Sequence, residues 1–544
     1  MPLLSRFPNI VLCSIVLPVL ICVPLDASAQ AQKTDVHALG AAGNGTTDDT
    51  TPIQQAIDRQ AATGGGEVVI PAGTYLCSSI HLRSNITLHL GPGATILGRP
   101  DIAAYDPPER LGFKNASDRE TSFFHHALLW GEDLQHIAIT GEGEINANFT
   151  RRLGPKPIAL KRCRFVKIQG ITIRNAPNYN ISMIGTDFVE IDGVTILHAL
   201  ADGIDPDSCR NVRISNCHIE AGDDAIVLKS SFSLGYHRSS ENITVTNCFL
   251  ATSCNCFKIG TETGSDFKNI VVSNCIMSGL AGIAPASSGI AIETVDGANV
   301  EGVTISNISM SFVRAPIFAR LGNRGRDMPQ PVPGYLRNVS ISHLVVADAS
   351  MPCIIVGIPG HPIEDLAISD AHIQISGSGM TRESSWNTPE NIREYPDPDM
   401  FGPLPADALF VHHVKRVSIS DVSFRILEKF WRLTVPDDAH VQWKVPLPSN
   451  AVSSSPRRAI VCDDAEQLYL YRVTCWAGST RNPSVLLFRV THSSFDCSPS
   501  DPAAPLVLQV DGEACQDNTI TNSMGHTHTT FVNGAHPSQA LFSH

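Results

Sequence analysis

The chain has 544 residues, with 53 acidic against 40 basic side chains and a formal net charge of −13. A field of that sign excludes nucleic acid and anionic membrane surfaces as general partners, and admits an acidic substrate only where local Lys or Arg oppose it. Gly, Asn, Ser, Val and Ile are plentiful and long helical patterns scarce, which favours one long repeat architecture over several ordinary domains.

The chain opens with "MPLLSRFPNIVLCSIVLPVLICVPLDASAQ", a single Arg, a long apolar run and the small-residue exit Ala27-Ser28-Ala29. This is the pattern of a signal peptide (1–29) cleaved near Gln30, so the expectation is an exported protein, periplasmic or extracellular. No later apolar run is long enough to span a bilayer, and the mature chain is expected to have no membrane partner. Cys13 and Cys22 leave with that segment, and 13 of the 15 cysteines remain. An odd number in so long a chain is not a disulfide framework. Cys254-x-Cys256 has no second Cys or His pair to complete a tetrahedral metal site, and no metal or cofactor is expected.

In "DDTTPIQQAIDRQAATGGG", Ile53, Ala56, Ile57 and Ala61 recur at helical spacing and Gly64 to Gly66 end the run. This predicts a helix that caps the open end of a solenoid, with Asp48 and Asp49 as structural carboxylates at its start. A repeat then runs through the middle of the chain. "VKIQGITI" (from Val166) returns as "VEIDGVTI" (Val189), "VRISNCHI" (Val212), "ITVTNCFL" (Ile243), "IVVSNCIM" (Ile270), "VTISNISM" (Val303), "VSISHLVV" (Val339), "LAISDAHI" (Leu366) and "VSISDVSF" (Val417). Each phrase alternates apolar and polar and then bends at Asn, Asp, Gly or His, so each is a short strand, a corner and a second strand. With a minimum period of 23 residues and almost no helix inside, the pattern predicts a parallel β-helix. Asn216, Asn247, Asn274 and Asn307 are expected to form a corner ladder, with Cys217, Cys248 and Cys275 stacked inside as small apolar groups.

Two segments depart from that pattern. "EAGDDAIVLKSS" places Asp223 and Asp224 before a strand rather than a helix, and "LADGIDPDSC" carries Asp202 and Asp205 one coil earlier. Neighbouring coils lie about 4.8 Å apart, so these carboxylates are expected roughly 5 to 9 Å apart, a range that spans both geometries of carboxylate-catalysed glycoside hydrolysis. Crowding raises carboxylate pKa values, so one can hold a proton as acid while another stays ionised as base. Asp202, Asp223 and Asp224 are therefore the candidate catalytic residues, with Asp205 and Lys229 beside them. Lys258 and Glu262 fall one coil later, as groove lining or as an exposed charge ladder. Arg320, in an otherwise apolar context, is preferred over Arg324 and Arg326 as a grip for a substrate carboxylate. A Pro-rich insertion (about 377–410) carries Trp386, Tyr395 and Phe401, either to stack on sugars or to pin the loop. Irregular coils and a His-rich tail follow over 411–544.

The stretch from "GAAGNGTTDDTTPIQQAID" to "GPGATILG" resembles the entry segment of pectin-degrading β-helix enzymes. "DGIDPDSCRNVRISNCHIEAGDDAIVLKSS" resembles the core signature of glycoside hydrolase family 28, the polygalacturonase and rhamnogalacturonan hydrolase group. The resemblance implies a right-handed, pectin lyase-like parallel β-helix and metal-independent inverting hydrolysis, with Asp223 as general acid and Asp202 and Asp224 positioning and deprotonating water. It also marks departures. Leu200-Ala201 stands where polygalacturonases have Asn-Thr, Asn255 stands at the His of their Gly-His-Gly, and Ala291-Ile292-Glu293 stands at their Arg-Ile-Lys. Asn255 can hydrogen-bond a sugar but cannot titrate; Glu293 is either a substrate contact or a further acid.

The sequence thus reads as an all-β protein: one β-helix domain over 30–544, with cap and first coils over 30–100 and catalytic coils over about 130–310. The expected function is hydrolysis of an α-linked, uronate-containing pectic polysaccharide or oligosaccharide by a monomer. A polysaccharide lyase on the same fold and a non-catalytic binding β-helix are the alternatives.

Overall fold

The computed structural model describes residues 33–376, 388–427, 458–477, 484–499, 506–521 and 527–543. The signal-peptide reading of 1–29, Trp386 and the start of the His-rich tail fall outside them.

Alternating side chains drive the architecture. Each early coil runs through three short strands, as in Ile181–Ile184, Asp187–Asp192 and Thr195–Ala199, and the strand pairs between successive coils are parallel. The repeat phrases coincide with the register. Val166 pairs with Val189, Val189 with Val212, Val212 with Ile243, Ile243 with Ile270, Ile270 with Val303, Val303 with Val339, and Val339 with Leu366. Their inward side chains form one continuous apolar core along the solenoid. No single coil could bury that face, so stacking is the folding force.

Corners between strands need left-handed backbone, which Asn tolerates better than branched residues. Asn216, Asn247, Asn274 and Asn307 have φ of 57°, 54°, 55° and 56°, and Asn307 Nδ2 donates to Asn274 Oδ1 at 3.1 Å. Asn211, Asn242 and Asn269 form a second such column, linked at 3.2 and 3.0 Å. Cys217, Cys248 and Cys275 are buried behind the first column, and the described cysteines are all free thiols.

Helix Thr50–Ala62 buries Ile53, Ala56 and Ile57 against the first strands. Its two leading carboxylates are structural but divide the work differently from a simple cap. Asp48 accepts from Thr50 N at 3.0 Å, whereas the fully buried Asp49 turns back to accept from Ala42 N at 2.6 Å and Gly43 N at 3.0 Å.

One stack of strands differs from the rest. Ile226–Ser230, Asn255–Thr263 and Ala286–Thr294 are buried at every position, whereas Phe267–Gly279 alternates between core and surface. The outer face of this stack is covered by irregular segments. An apolar patch around Phe124 and Leu234 dresses one flank, and Phe401 with Phe318, Ile354 and Phe410 dresses the other. Between the two patches the covered face is polar.

The Asn ladder gives a test of the corner argument. Asn274→Val places a β-branched residue in the left-handed region and removes a ladder amide, so it should cost about 1–3 kcal/mol. Chemical denaturation should show an earlier unfolding midpoint, whereas Ser273→Val, one residue before the corner, should change it little.

Candidate active site

The polar band is built by register. Ile204 pairs with Ile226 and Ile226 with Phe257, so Asp202, Asp224 and Asn255, each two residues ahead of those positions, stack on three consecutive coils. The hydrogen bonds follow the column: Asp224 N lies 3.3 Å from Asp202 Oδ1, and Asn255 N lies 3.1 Å from Asp224 Oδ1. Asp223 is brought beside Asp224 by a tight turn at Gly222, where a Cβ would stand 2.9 Å from the Ala199 carbonyl oxygen. Carboxylate oxygens of Asp223 and Asp224 and the Cys254 Sγ lie within 4.8 Å of one another. Cations already face that trio, since Arg152 Nη1 lies 2.6 Å from Asp223 and Lys258 Nζ lies 3.2 Å from Asp224. Burial also keeps Cys254 a thiol by pushing its pKa well up.

Lys229 is held under the column, 3.0 Å from Asp202 Oδ2 and 2.7 Å from Asp205 Oδ2, with its ammonium 4.0 Å from the centre of the Tyr179 ring. Asp205, Lys229 and Tyr179 are nearly closed to solvent, as are Asp202 and Asp224 themselves, so all of them lie beneath the covering segments. On the next coil Lys258 bridges Asp224 and Glu293, the latter at 3.8 Å, and donates to the Tyr395 hydroxyl at 3.4 Å. Asn255 Nδ2 donates to Asp224 Oδ1 at 2.7 Å. Glu262 is paired with Arg326 at 3.1 Å, and Arg326 also faces Asp118 at 3.6 Å. The expected site residues on Asp202 to Glu293 are therefore brought together.

Arg320 is placed otherwise than expected. It is fully buried, donating to the carbonyls of Gly357 at 2.8 Å and Glu390 at 2.6 Å, with its guanidinium over the Phe401 ring. Its task is to anchor the 388–401 segment, because a strand position in the double-covered stack leaves no route to solvent. That segment in turn carries Tyr395, half exposed, over Lys258. Arg324 is likewise committed, to Asp296 at 2.9 Å and to the Thr261 carbonyl at 2.7 Å.

Sequence reasoning missed Arg152. It sits in the non-repetitive stretch "FTRRLGPKP" and clamps Asp223 while its other edge grips Glu120 at 2.9 and 3.1 Å. It also missed Lys156, whose buried ammonium stands 3.9 Å from the centre of the Phe124 ring. Neither lies in a repeat phrase, so only folding reveals their neighbours.

The charges divide the acids into two kinds. Burial, then repulsion from Asp223, Asp224 and Asp205, holds the Asp202 carboxyl well above the usual range despite Lys229. Burial raises Asp205 as well. For Asp223 burial acts in the same direction, but the Arg152 guanidinium outweighs it and the pKa is lowered. Glu262 is also lowered, because Lys229, Arg324 and Arg326 overcome its burial. Burial pushes Glu293 up to about 8, against the pull of Lys258, and pushes Lys156 down to about 8. Burial thus favours the protonated form of Asp202 and of Glu293, while Arg152 favours the ionised form of Asp223.

Glu293 gives a direct check on this field. Its folded pKa is raised, so the unfolded chain gives up the proton first and stability falls as pH climbs from about 4.5 to about 8. Glu293→Gln removes that loss. The melting temperature of the variant relative to the parent should rise steadily from pH 5 to pH 8 and stay level above. A constant offset would contradict a buried, protonated Glu293.

With this geometry in hand, the relatives are informative. The model of "Glycosyl hydrolases family 28" matches residues 134–381, and that of "Rhamnogalacturonase A/epimerase, pectate lyase-like" matches residues 34–104. A probable polygalacturonase of Vitis vinifera is 26% identical over 388 residues, 64% of this chain and 76% of that protein. An exo-poly-alpha-D-galacturonosidase of Dickeya chrysanthemi is 22% identical, over 69% of this chain and 74% of its own. Among solved structures, the family 28 exopolygalacturonase of Yersinia enterocolitica aligns with a TM-score of 0.55 at 17% identity, covering 73% of this chain and 74% of that one. The exopolygalacturonase of Thermotoga maritima aligns with a TM-score of 0.53 at 22% identity, over 63% of this chain and 87% of that one. The column of acids lies inside the region that the family 28 model matches.

Proposed function

We propose that the protein is an exported, inverting and metal-independent hydrolase of α-linked, galacturonate-containing pectic polymer or oligomer. The observation that carries this reading is the stacking of Asp202 and Asp224 on adjacent coils with Asp223 beside them, under one cover of loops. Action as a monomer, a right-handed winding and the capping role of helix Thr50–Ala62 belong to the same reading.

Two features fit an anionic sugar in spite of the missing motif residues. Lys258 stands 3.8 Å from Glu293, so a cation from the neighbouring coil lies beside the place where position 293 lacks one. Glu293, protonated up to about pH 8, repels a uronate much less than an ionised Glu would, and its proton can donate to a sugar oxygen. Asn255 serves as a fixed donor that orients Asp224 rather than as a titrating group.

The ion pair of Arg152 with Asp223 sets the order of events. As long as it is intact, Asp223 cannot donate a proton. A uronate carboxylate that takes the Arg152 guanidinium for itself releases Asp223, whose half-buried carboxyl then gains a proton and donates it to the glycosidic oxygen. Asp224, held by Lys258 and Asn255, is the base that activates water, and Asp202 positions that water. Substrate charge is thus coupled to readiness for catalysis.

Reducing-end release from polygalacturonate and rhamnogalacturonan tests the reading, with the anomer of the first product reporting inversion. Asp223→Asn and Asp224→Asn should each lose about 10²- to 10⁴-fold in kcat while still binding oligomer. An unsaturated, ultraviolet-absorbing product would instead identify a lyase, and unchanged binding without turnover in the parent would identify a binding protein. For Arg152→Gln the sign follows from its effect on Asp223. Losing the guanidinium raises the acid's pKa, so the alkaline limb of kcat/KM should move to higher pH as KM for charged oligomers rises. An unmoved limb would remove Asp223 from the role of acid.

A further inference from the structure

About four coils beyond Lys258 along the same covered stack, or roughly 19 Å at 4.8 Å per coil, three side chains meet that play no part in the acid column. His412 and His413 are adjacent on the strand Leu409–Leu427, and Glu390 reaches them from the segment that also carries Tyr395. Neighbours on a strand ordinarily face opposite ways. Here His413 has a φ of 51°, so the chain turns a corner and both imidazoles point to one place, their ring centres 3.7 Å apart. Both are buried. Glu390 Oε1 lies 3.2 Å from His412 Nε2 and 3.0 Å from His413 Nε2.

The opposite ring nitrogens decide what this convergence is for. His412 Nδ1 lies 3.2 Å from Asp463 Oδ2 and 3.3 Å from the Asp463 carbonyl, and His413 Nδ1 is hydrogen-bonded to Asp464 Oδ2. Those partners only accept, so each Nδ1 carries the hydrogen, and in its neutral form each ring presents a lone pair at Nε2. Two lone pairs then face a carboxylate oxygen that is itself an acceptor. Glu390 Oε2 is buried without any partner. For neutral rings, a shared cation would satisfy both lone pairs and the carboxylate. Carboxylates behind both imidazoles are the usual support for metal-bound His, fixing tautomer and orientation. The nitrogen–oxygen separations also suit it, since metal bonds of about 2.0–2.1 Å in a tetrahedron set ligands about 3.3 Å apart.

We propose that Glu390, His412 and His413 bind one divalent transition-metal ion of the Zn²⁺ class, with Asp463 and Asp464 as outer carboxylates. The ion does not enter the hydrolytic step. It ties the root of the 388–401 segment to the solenoid, beside Arg320, which donates to the Glu390 carbonyl, and so fixes Tyr395 over Lys258. The binding itself is independent of the hydrolase reading.

The test uses the full chain without an added His tag, stripped with chelator and titrated with Co²⁺ alone and with Zn²⁺ alone. One equivalent of Co²⁺ should give visible absorption bands that Zn²⁺ abolishes, and calorimetry should give a stoichiometry near one. Glu390→Gln, on a surface segment outside the coil core, should weaken binding at least tenfold while the far-ultraviolet spectrum stays unchanged. His413→Gln should abolish the bands, and Asp464→Asn should weaken binding about 10- to 100-fold. Failure of the parent protein to bind either ion stoichiometrically overturns the proposal, and would mean that two imidazolium rings share the carboxylates. Binding that survives both Glu390→Gln and His413→Gln also overturns it, by locating the metal elsewhere.

Discussion

Everything in this protein depends on the register between coils. Parallel pairing fixes each rung about 4.8 Å from the next and gives no freedom to slide without turning apolar side chains outward. Because Ile204, Ile226 and Phe257 are held in line by the core, the residues two places ahead of each are held in line as well. Asp202, Asp224 and Asn255 are such residues. The spacing of the acids is therefore a by-product of core packing, and they need no dedicated scaffold.

The second constraint is desolvation. The stack that carries the acids is covered on both faces, and burying several carboxylates together is costly unless cations enter with them. The structure meets this cost by alternation: Lys229 between Asp202 and Asp205, Lys258 between Asp224 and Glu293, Arg152 between Asp223 and Glu120. Where the cation only partly offsets burial, the carboxyl pKa stays raised, as for Asp202 and Glu293. The same low-dielectric cover that perturbs these groups is what gives neighbouring carboxyls different proton affinities.

Irregular segments supply the rest. The 388–401 segment, anchored by Arg320, reaches back along the solenoid to bring Tyr395 to Lys258. Arg152 and Glu120 come from outside the repeat phrases as well. A regular solenoid thus provides acids at fixed spacing, and its insertions provide the partners that set their charge.

The repeat was legible in the sequence because period-two alternation and the Asn corners are local consequences of strand geometry, and each phrase declares its own rung. The acid cluster was legible for the same reason, since a gap near the local period places two residues on one column. Arg320 could not be judged that way. Its apolar context suggested a protected grip, but whether the covered side of a strand opens on a groove or on a loop's backbone depends on what the insertions do. Likewise the sequence named Asp223 as an acid, while its ionised state follows from Arg152, 71 residues away. Periodicity, written into the chain itself, determined the coils and the order of the acids. Only the tertiary structure decided their charges, because those depend on burial and on neighbours that loops bring from distant parts of the chain.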